Sequence, residues 1–314
     1  MSSTTRRGHA LSQNRAVRAD RVISDELVQV GSQRGLFRGT VDSVRGVLEY
    51  RELLGLLVRR EIRARYKNSV LGIVWSLMRP IVQLLIYYVA LGQFLGAARA
   101  TPEFAVFVFT GLTIWGLFAE IVAGGTSSVV NNSGLIKKVF LPREIFPLSA
   151  VGSALFNFGI QFVILMVATV VSGSFPWHRD LLYAPLAIAL VIVLGTAIAF
   201  LLSALNVYLR DTQHIVDILV LVLFWASPIV YNFTFVHDRL VGTFAESLYL
   251  ANPLTLATLG MQKAIWLAGT EDPTIYWPPH LGLRLVIALA ISLVLLWICQ
   301  RVFARLQSNF AQEL

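Results

Sequence analysis

The chain has 314 residues, 56% of them hydrophobic and only 14% charged, with a mean hydropathy of +0.68. Soluble domains carry about a quarter charged residues, so this composition excludes an ordinary soluble enzyme and defines an all-α integral membrane protein. The net charge of +8 is concentrated, since residues 1–71 hold 14 of the 26 Lys and Arg. In a membrane protein such a block stays in the cytoplasm beside anionic lipid, and nucleic acid is not implied.

In chain order, residues 1–40 are polar and aperiodic with no apolar core. They read as a disordered cytoplasmic tail and not as a secretory signal. Residues 47–67, "VLEYRELLGLLVRREIRARYK", predict an amphipathic helix lying in the cytoplasmic interface. Glu49, Glu52, Arg59, Arg60, Arg63 and Lys67 share one narrow wedge. Val47, Tyr50, Leu53, Leu54, Leu57, Val58 and Ile62 face the other way, joined by Arg51, Glu61 and Arg65, which spoil the apolar face. The arginines either anchor the helix to lipid headgroups or meet phosphate, which guanidinium groups grip in a bidentate way.

Six apolar runs reach the roughly 20 residues that a membrane-crossing helix needs. They lie near 71–96, 104–123, 145–173, 181–208, 214–233 and 281–300. Arg79 is the deepest charge of the first span, expected to snorkel to the cytoplasmic face, and Pro80 beside it predicts a kink. With both termini inside, 20 Lys and Arg are cytoplasmic and five are outside: Arg99, Arg179, Arg239, Lys263 and Arg284. Arg210 and Asp211, after the fourth span, predict a local ion pair. Residues 243–277 contain another apolar stretch, but Asn252-Pro253 interrupts it, and a seventh crossing would place Arg301 and Arg305 outside. The expectation is a re-entrant helical hairpin between the fifth and sixth spans, bordering protein or a water-filled path. Residues 306–314 form a cytoplasmic C-terminus. Cys299 is the single cysteine, so no internal disulfide forms, and its apolar run predicts simple packing.

Residues 124–144 form the longest cytoplasmic loop between spans. Within it, Leu135, Ile136, Val139 and Phe140 supply an apolar stripe and Lys137 and Lys138 a charged rim, in a short helix expected across Asn132 to Phe140. A bare connector needs none of this, so the loop is expected to touch a soluble partner. The chain has no G-x-x-x-x-G-K-[ST] phosphate loop; "GGTSS" at 124–128 lacks the lysine. It has no His/Cys metal spacing, no nucleophile with an adjacent base and no visible internal repeat. Glu120 and Asp217 lie near span ends, away from the mid-membrane depth that proton coupling favours. A membrane body without an energy source implies that a partner supplies it.

Four blocks carry a family resemblance: "RREIRARYKNSVLGIVWSLMRP" (59–80), "NNSGLIKKVFLPREIFPLSA" (131–150), "LNVYLRDTQHIVDILVLVLFWASPIVY" (205–231) and "NPLT" (252–255). In order and spacing, over residues 41–305, the chain resembles the permease subunits of ABC-2 polysaccharide exporters. Arg79 departs from the neutral polar residue that the family more often carries before its proline. The resemblance implies a homodimer in the plasma (inner) membrane with two separate ATP-binding cassette subunits. Those subunits would bind ATP and Mg, leaving this chain no cofactor or metal and no catalytic residue. It implies that Leu135, Ile136, Lys137, Lys138, Val139, Phe140, Arg143 and Glu144 couple to the ATPase. The substrate would be a polysaccharide joined by a diphosphate to a polyprenyl lipid, of O-antigen, teichoic acid or galactan type. On this reading Arg59, Arg60 and Arg63 receive the diphosphate. Tyr87, Tyr88, Trp115, Phe118, Phe156, Trp225 and Tyr231 would line a channel, stacking on sugar rings. Two rival readings are an ABC-2 permease for a small drug or lipid, and a membrane enzyme acting on polyprenyl-phosphate lipids; the latter would need an acidic metal cluster near the interface.

Overall fold

A computed structural model of the chain describes residues 36–66, 74–139 and 141–314, and every regular element among them is helical. Residues 1–35 of the predicted tail lie outside the described residues. α1 (Leu36–Glu49) is helical from Leu36 onward. Partners far along the chain hold it: Trp297 Nε1 donates to Thr40 Oγ1 (3.1 Å) and Gln300 Nε2 to Ser43 Oγ (2.9 Å). The predicted interface helix is two segments, α1 and α2 (Arg51–Tyr66), separated by a single turn residue, Tyr50. Hydrogen bonds continue across Tyr50, from Tyr50 N–H to the Gly46 carbonyl and from Leu54 N–H to the Tyr50 carbonyl. Lys67 lies outside the described residues.

α3 (Val74–Tyr87) contains Arg79 and Pro80 and widens into a π-helix at Tyr88–Phe94. There Leu95 N–H reaches the Ala90 carbonyl at 3.2 Å. Gly96 ends the element at φ +75°, a conformation open to glycine.

α4 (Phe104–Asn131) runs eight residues beyond the predicted end of the second span. "GGTSS" is helix because its side chains suit a packed one. Thr126 and Ser128 hydroxyls donate back to the carbonyls of Val122 and Gly125, both at 2.7 Å. A Cβ at Gly125 would stand 2.4 Å from Ala199 Cβ, so the glycine lets α6 (Tyr183–Tyr208) approach. At Gly124 a Cβ would sit 3.5 Å from Ala150 Cβ, ordinary contact. Gly125→Ala is therefore expected to destabilise the protein by about 1–3 kcal/mol through overpacking, while Gly124→Ala is tolerated. Thermal unfolding of the two variants in detergent measures the contrast.

α5 (Ile145–Val171), α6 and α11 (Leu281–Leu306) match their predicted spans closely in place. Among the described residues, four stretches are long and apolar enough to cross a membrane: Phe104–Asn131, Ile145–Val171, Arg179–Tyr208 and Leu281–Asn309. α4 is the central one, 78% buried over its apolar window, against 22% for the last stretch. α7 (Thr212–Trp225) is shorter than the fifth span predicted at 214–233. Its 14 residues rise about 21 Å, short of a hydrocarbon core of about 30 Å. Arg210 and Asp211 are both exposed and form no ion pair with each other.

Beyond α7 come α8 (Phe233–Leu240), α9 (Phe244–Ala251) and α10 (Pro253–Ile265). The break falls at Asn252-Pro253, as the sequence predicts. Asn252 caps α10 by accepting from Leu254 N–H at 3.0 Å, and Pro253 takes the first turn, where its missing N–H costs nothing. α10 is buried along most of its length and serves the irregular backbone after α7: Gln262 Nε2 donates to the Pro228 carbonyl at 2.8 Å. Trp266 Nε1 donates to the Pro102 carbonyl at 2.8 Å, fixing this layer to the start of α4. Carbonyls away from water need such partners.

Candidate functional site

α2 packs its apolar side on α5. Leu57 is buried, and Val58 sits against Gly152, where a Cβ would come within 2.6 Å of Val58 Cγ2. Glu52, Arg59, Arg60 and Arg63 are exposed, as the wedge predicts. Two of the residues that spoil the apolar face have polar partners across it. Glu61 accepts from the Ser149 hydroxyl at 2.6 Å. Burial pushes its carboxyl above the ordinary carboxylate pKa, against the pull of that hydroxyl and of Arg60 and Arg65. Arg65 forms an ion pair with Glu120 of α4, whose carboxylate also accepts from Asn157 Nδ2 of α5 at 2.5 Å. Arg51 stays exposed. Of the arginine cluster, Arg60 is engaged, donating from Nη2 to Asn132 Oδ1 at the end of α4.

Asn132 also opens the loop. Its carbonyl accepts from Leu135 and Ile136 N–H at 3.0 and 3.1 Å, and Nδ2 donates to the Ser128 carbonyl at 2.8 Å. The helix expected to reach Phe140 is one turn, Ser133–Ile136, followed by a non-helical turn; Phe140 lies outside the described residues. The apolar stripe divides. Ile136 is buried in the core cluster that also holds Leu57, Ile145 and Phe146, with Leu135 packed against that cluster. Val139 is 46% exposed, beside exposed Lys137 and Lys138. A shallow cleft lined by Ile136, Val139, Leu141, Arg143 and Phe146 opens next to it. The stripe divides because a single turn cannot present four residues to one side when its inner residues close the core beneath it.

Arg143 and Glu144 face the chain's own ends. Glu144 is 4% exposed, and its Oε1 accepts from Ser43 Oγ of α1 (3.1 Å) and Gln307 Nε2 after α11 (3.3 Å). The Arg143 guanidinium lies 5.7 Å from the ring centre of buried Phe310. Burial lowers the Arg143 pKa, opposed by Glu144 and Tyr208. Sequence reading missed Ser43, Phe310 and Gln307; only their spatial partners mark them.

The seven aromatics separate as well. Tyr87, Trp115, Phe118 and Trp225 are linked by ring contacts in which Phe224, absent from the predicted set, is central. Its ring centre lies 5.9 Å from Tyr87, 5.6 Å from Trp115 and 5.4 Å from Trp225, and Trp115 lies 5.6 Å from Phe118. Phe118 is 1% exposed within the chain, whereas Tyr88, Phe156 and Trp225 are exposed. Tyr231 donates to the Trp225 carbonyl at 2.7 Å and its hydroxyl meets that of Tyr249 at 3.0 Å. Trp225 and Tyr231 also line an apolar cleft of about 150 Å³ with Leu91, Leu95, Phe104 and Phe235. Among the described residues no group of three or more His, Cys, Asp or Glu is placed to hold a metal ion.

Several helices of crossing length among the described residues, packed around α4, make this a multi-pass membrane protein. The chain belongs to the ABC-2 type transporter family, which residues 52–266 match. It is 32% identical over 273 residues to the O-antigen export system permease protein RfbA of Myxococcus xanthus, covering 86% of this chain and 98% of that protein. The O-antigen export system permease protein RfbA of Klebsiella pneumoniae is 28% identical over 180 residues, 57% of this chain and 69% of the relative. The polysialic acid transport protein KpsM of Escherichia coli is 25% identical over 179 residues, 56% of this chain and 68% of the relative.

Proposed function

We propose that this chain is the permease subunit of an ATP-driven exporter that moves a polyprenyl-diphosphate-linked polysaccharide out of the cytoplasm. The observation that carries this reading is the 32% identity along 98% of an O-antigen export permease. The chain works as a homodimer with two ATPase subunits, which supply nucleotide and magnesium chemistry. The turn after α4 receives the ATPase at Lys137, Lys138 and Val139, while Leu135 and Ile136 transmit its movement to the core. The exposed arginines of α2 receive the diphosphate, and the glycan passes the exposed aromatics along the interface between copies. A small drug or lipid as substrate is not favoured by relatives named for O-antigen and polysialic acid. Replacing Arg59, Arg60 and Arg63 together by Gln is expected to weaken substrate stimulation of ATP hydrolysis about tenfold or more, since each lost charge-assisted contact is worth about 1.5–3 kcal/mol. Complex assembly stays intact. Unchanged stimulation in reconstituted complex would remove the diphosphate role.

Six crossings, both termini inside the plasma membrane, and a hairpin of α9 and α10 that enters and leaves on the outer side complete the reading. The 20-to-five division of basic residues supports this orientation. Single cysteines at Asp238, Thr274 and Ser308, all exposed positions, are placed in a Cys299→Ser background. An impermeant thiol reagent added outside intact cells is expected to label the first two and spare the third. Labelling at 308 from outside would instead require an odd number of crossings.

A further inference from the structure

Arg60 stands in two places at once. By sequence it belongs to the exposed α2 wedge with Arg59 and Arg63, and by contact it belongs to the loop, through Asn132 Oδ1. Asn132 is 7% exposed and starts the loop turn with its own carbonyl. Its amide nitrogen is committed to the Ser128 carbonyl, so its side-chain oxygen is the part given to α2. Two further polar links of α2, among the described residues, run elsewhere: Glu61 to Ser149 within α5, and Arg65 to Glu120 within α4.

We propose that Arg60 reports occupancy of the arginine cluster to the loop by exchanging Asn132 for a diphosphate oxygen. This rests on the proposed diphosphate role of the cluster. A diphosphate accepts two parallel N–H bonds from a guanidinium and is a stronger acceptor than a neutral amide carbonyl. Its arrival beside Arg59 and Arg63 draws the Arg60 guanidinium off Asn132. The Asn132 oxygen, in a place that water reaches poorly, then lacks a donor, and a buried acceptor without one is unstable. The turn that begins at Asn132 must therefore reorganise. That turn carries Lys137, Lys138 and Val139, so the substrate changes the face shown to the ATPase before nucleotide acts.

The test uses the full chain in lipid nanodiscs, with Cys299→Ser and a fluorophore on Gly134→Cys, an exposed site where an added Cβ meets nothing within 4 Å. The probe is undecaprenyl diphosphate. In the parent, the fluorophore signal is expected to shift with the same midpoint as binding. Asn132→Ala should bind within about threefold of the parent, its arginines being kept, yet lose the shift. Asn132→Asp gives Arg60 a charged partner and should raise the binding midpoint about tenfold while keeping the amplitude at saturation. Arg59→Gln with Arg63→Gln should also raise the midpoint and keep the amplitude. A full shift in Asn132→Ala, an unmoved midpoint in Asn132→Asp, or binding to the parent without any shift would each overturn the exchange. Unaltered binding when all three arginines are Gln is a separate result and would overturn the cluster reading beneath it.

Discussion

Val139→Asp is expected to release the ATPase from the permease during purification and to stop export while the permease stays folded. Val139 is 46% exposed and the turn around it is held from beneath by Ile136. Burying one apolar side chain at a contact is worth about 1.5–3 kcal/mol, and a buried aspartate adds a desolvation cost of its own. Central anchors dominate interfaces, with truncation costs of about 2 kcal/mol or more, so a loss of affinity of at least about 30-fold follows. Lys137→Ala with Lys138→Ala removes exposed charge and should weaken the complex modestly, mostly at low salt. Ile136→Asp provides the contrast, because it places a carboxylate in the core beside Phe146 and should lose the fold itself. Stoichiometry after affinity purification, with a melting curve of the permease, separates the cases. Wild-type stoichiometry and substrate-stimulated ATP hydrolysis in Val139→Asp would place the ATPase contact elsewhere.

The second large effect is expected at Glu120. Its carboxylate joins α4 to α5 through Asn157 and to α2 through Arg65. Glu120→Ala leaves the Arg65 guanidinium without its ion-pair partner and Asn157 Nδ2 without this acceptor. The Arg65 and Glu120 side chains are 46% and 24% exposed, so water offsets part of the loss and the full cost of a broken buried pair does not apply. Hydrogen bonds to charged groups are worth about 1.5–3 kcal/mol. A loss near 2 kcal/mol raises local opening of α2 about 30-fold. Hydrogen exchange of residues 51–66 should rise accordingly, with the amides of α4 changed little. Glu120→Gln keeps an acceptor for Asn157 and should fall between. Equal exchange in all three proteins would mean that apolar packing of Leu57 and Val58 alone holds α2.

Several features of this protein follow from the sequence by itself. Low charge with long apolar runs sets a membrane class, because the cost of exposing a backbone in lipid leaves helices as the form for such runs. α5, α6 and α11 fall where hydrophobicity places them, and Asn252-Pro253 breaks one helix and caps the next because both effects are local. The exposed wedge of α2 is likewise a matter of angular spacing along one helix. Tertiary structure decided what those positions meet. Glu61 and Arg65 look like faults in an apolar face until Ser149 and Glu120 stand opposite them, 88 and 55 residues away. "GGTSS" reads as a loop by composition and is helix where packing holds it: its glycine admits α6, and its buried hydroxyls find acceptors within the same helix. Leu135, Ile136 and Val139 are equal as apolar letters, yet the floor formed by Leu57, Ile145 and Phe146 takes the first two and leaves the third outside. Periodicity is a property of neighbours along the chain, whereas burial and hydrogen-bond satisfaction depend on residues that only folding brings together.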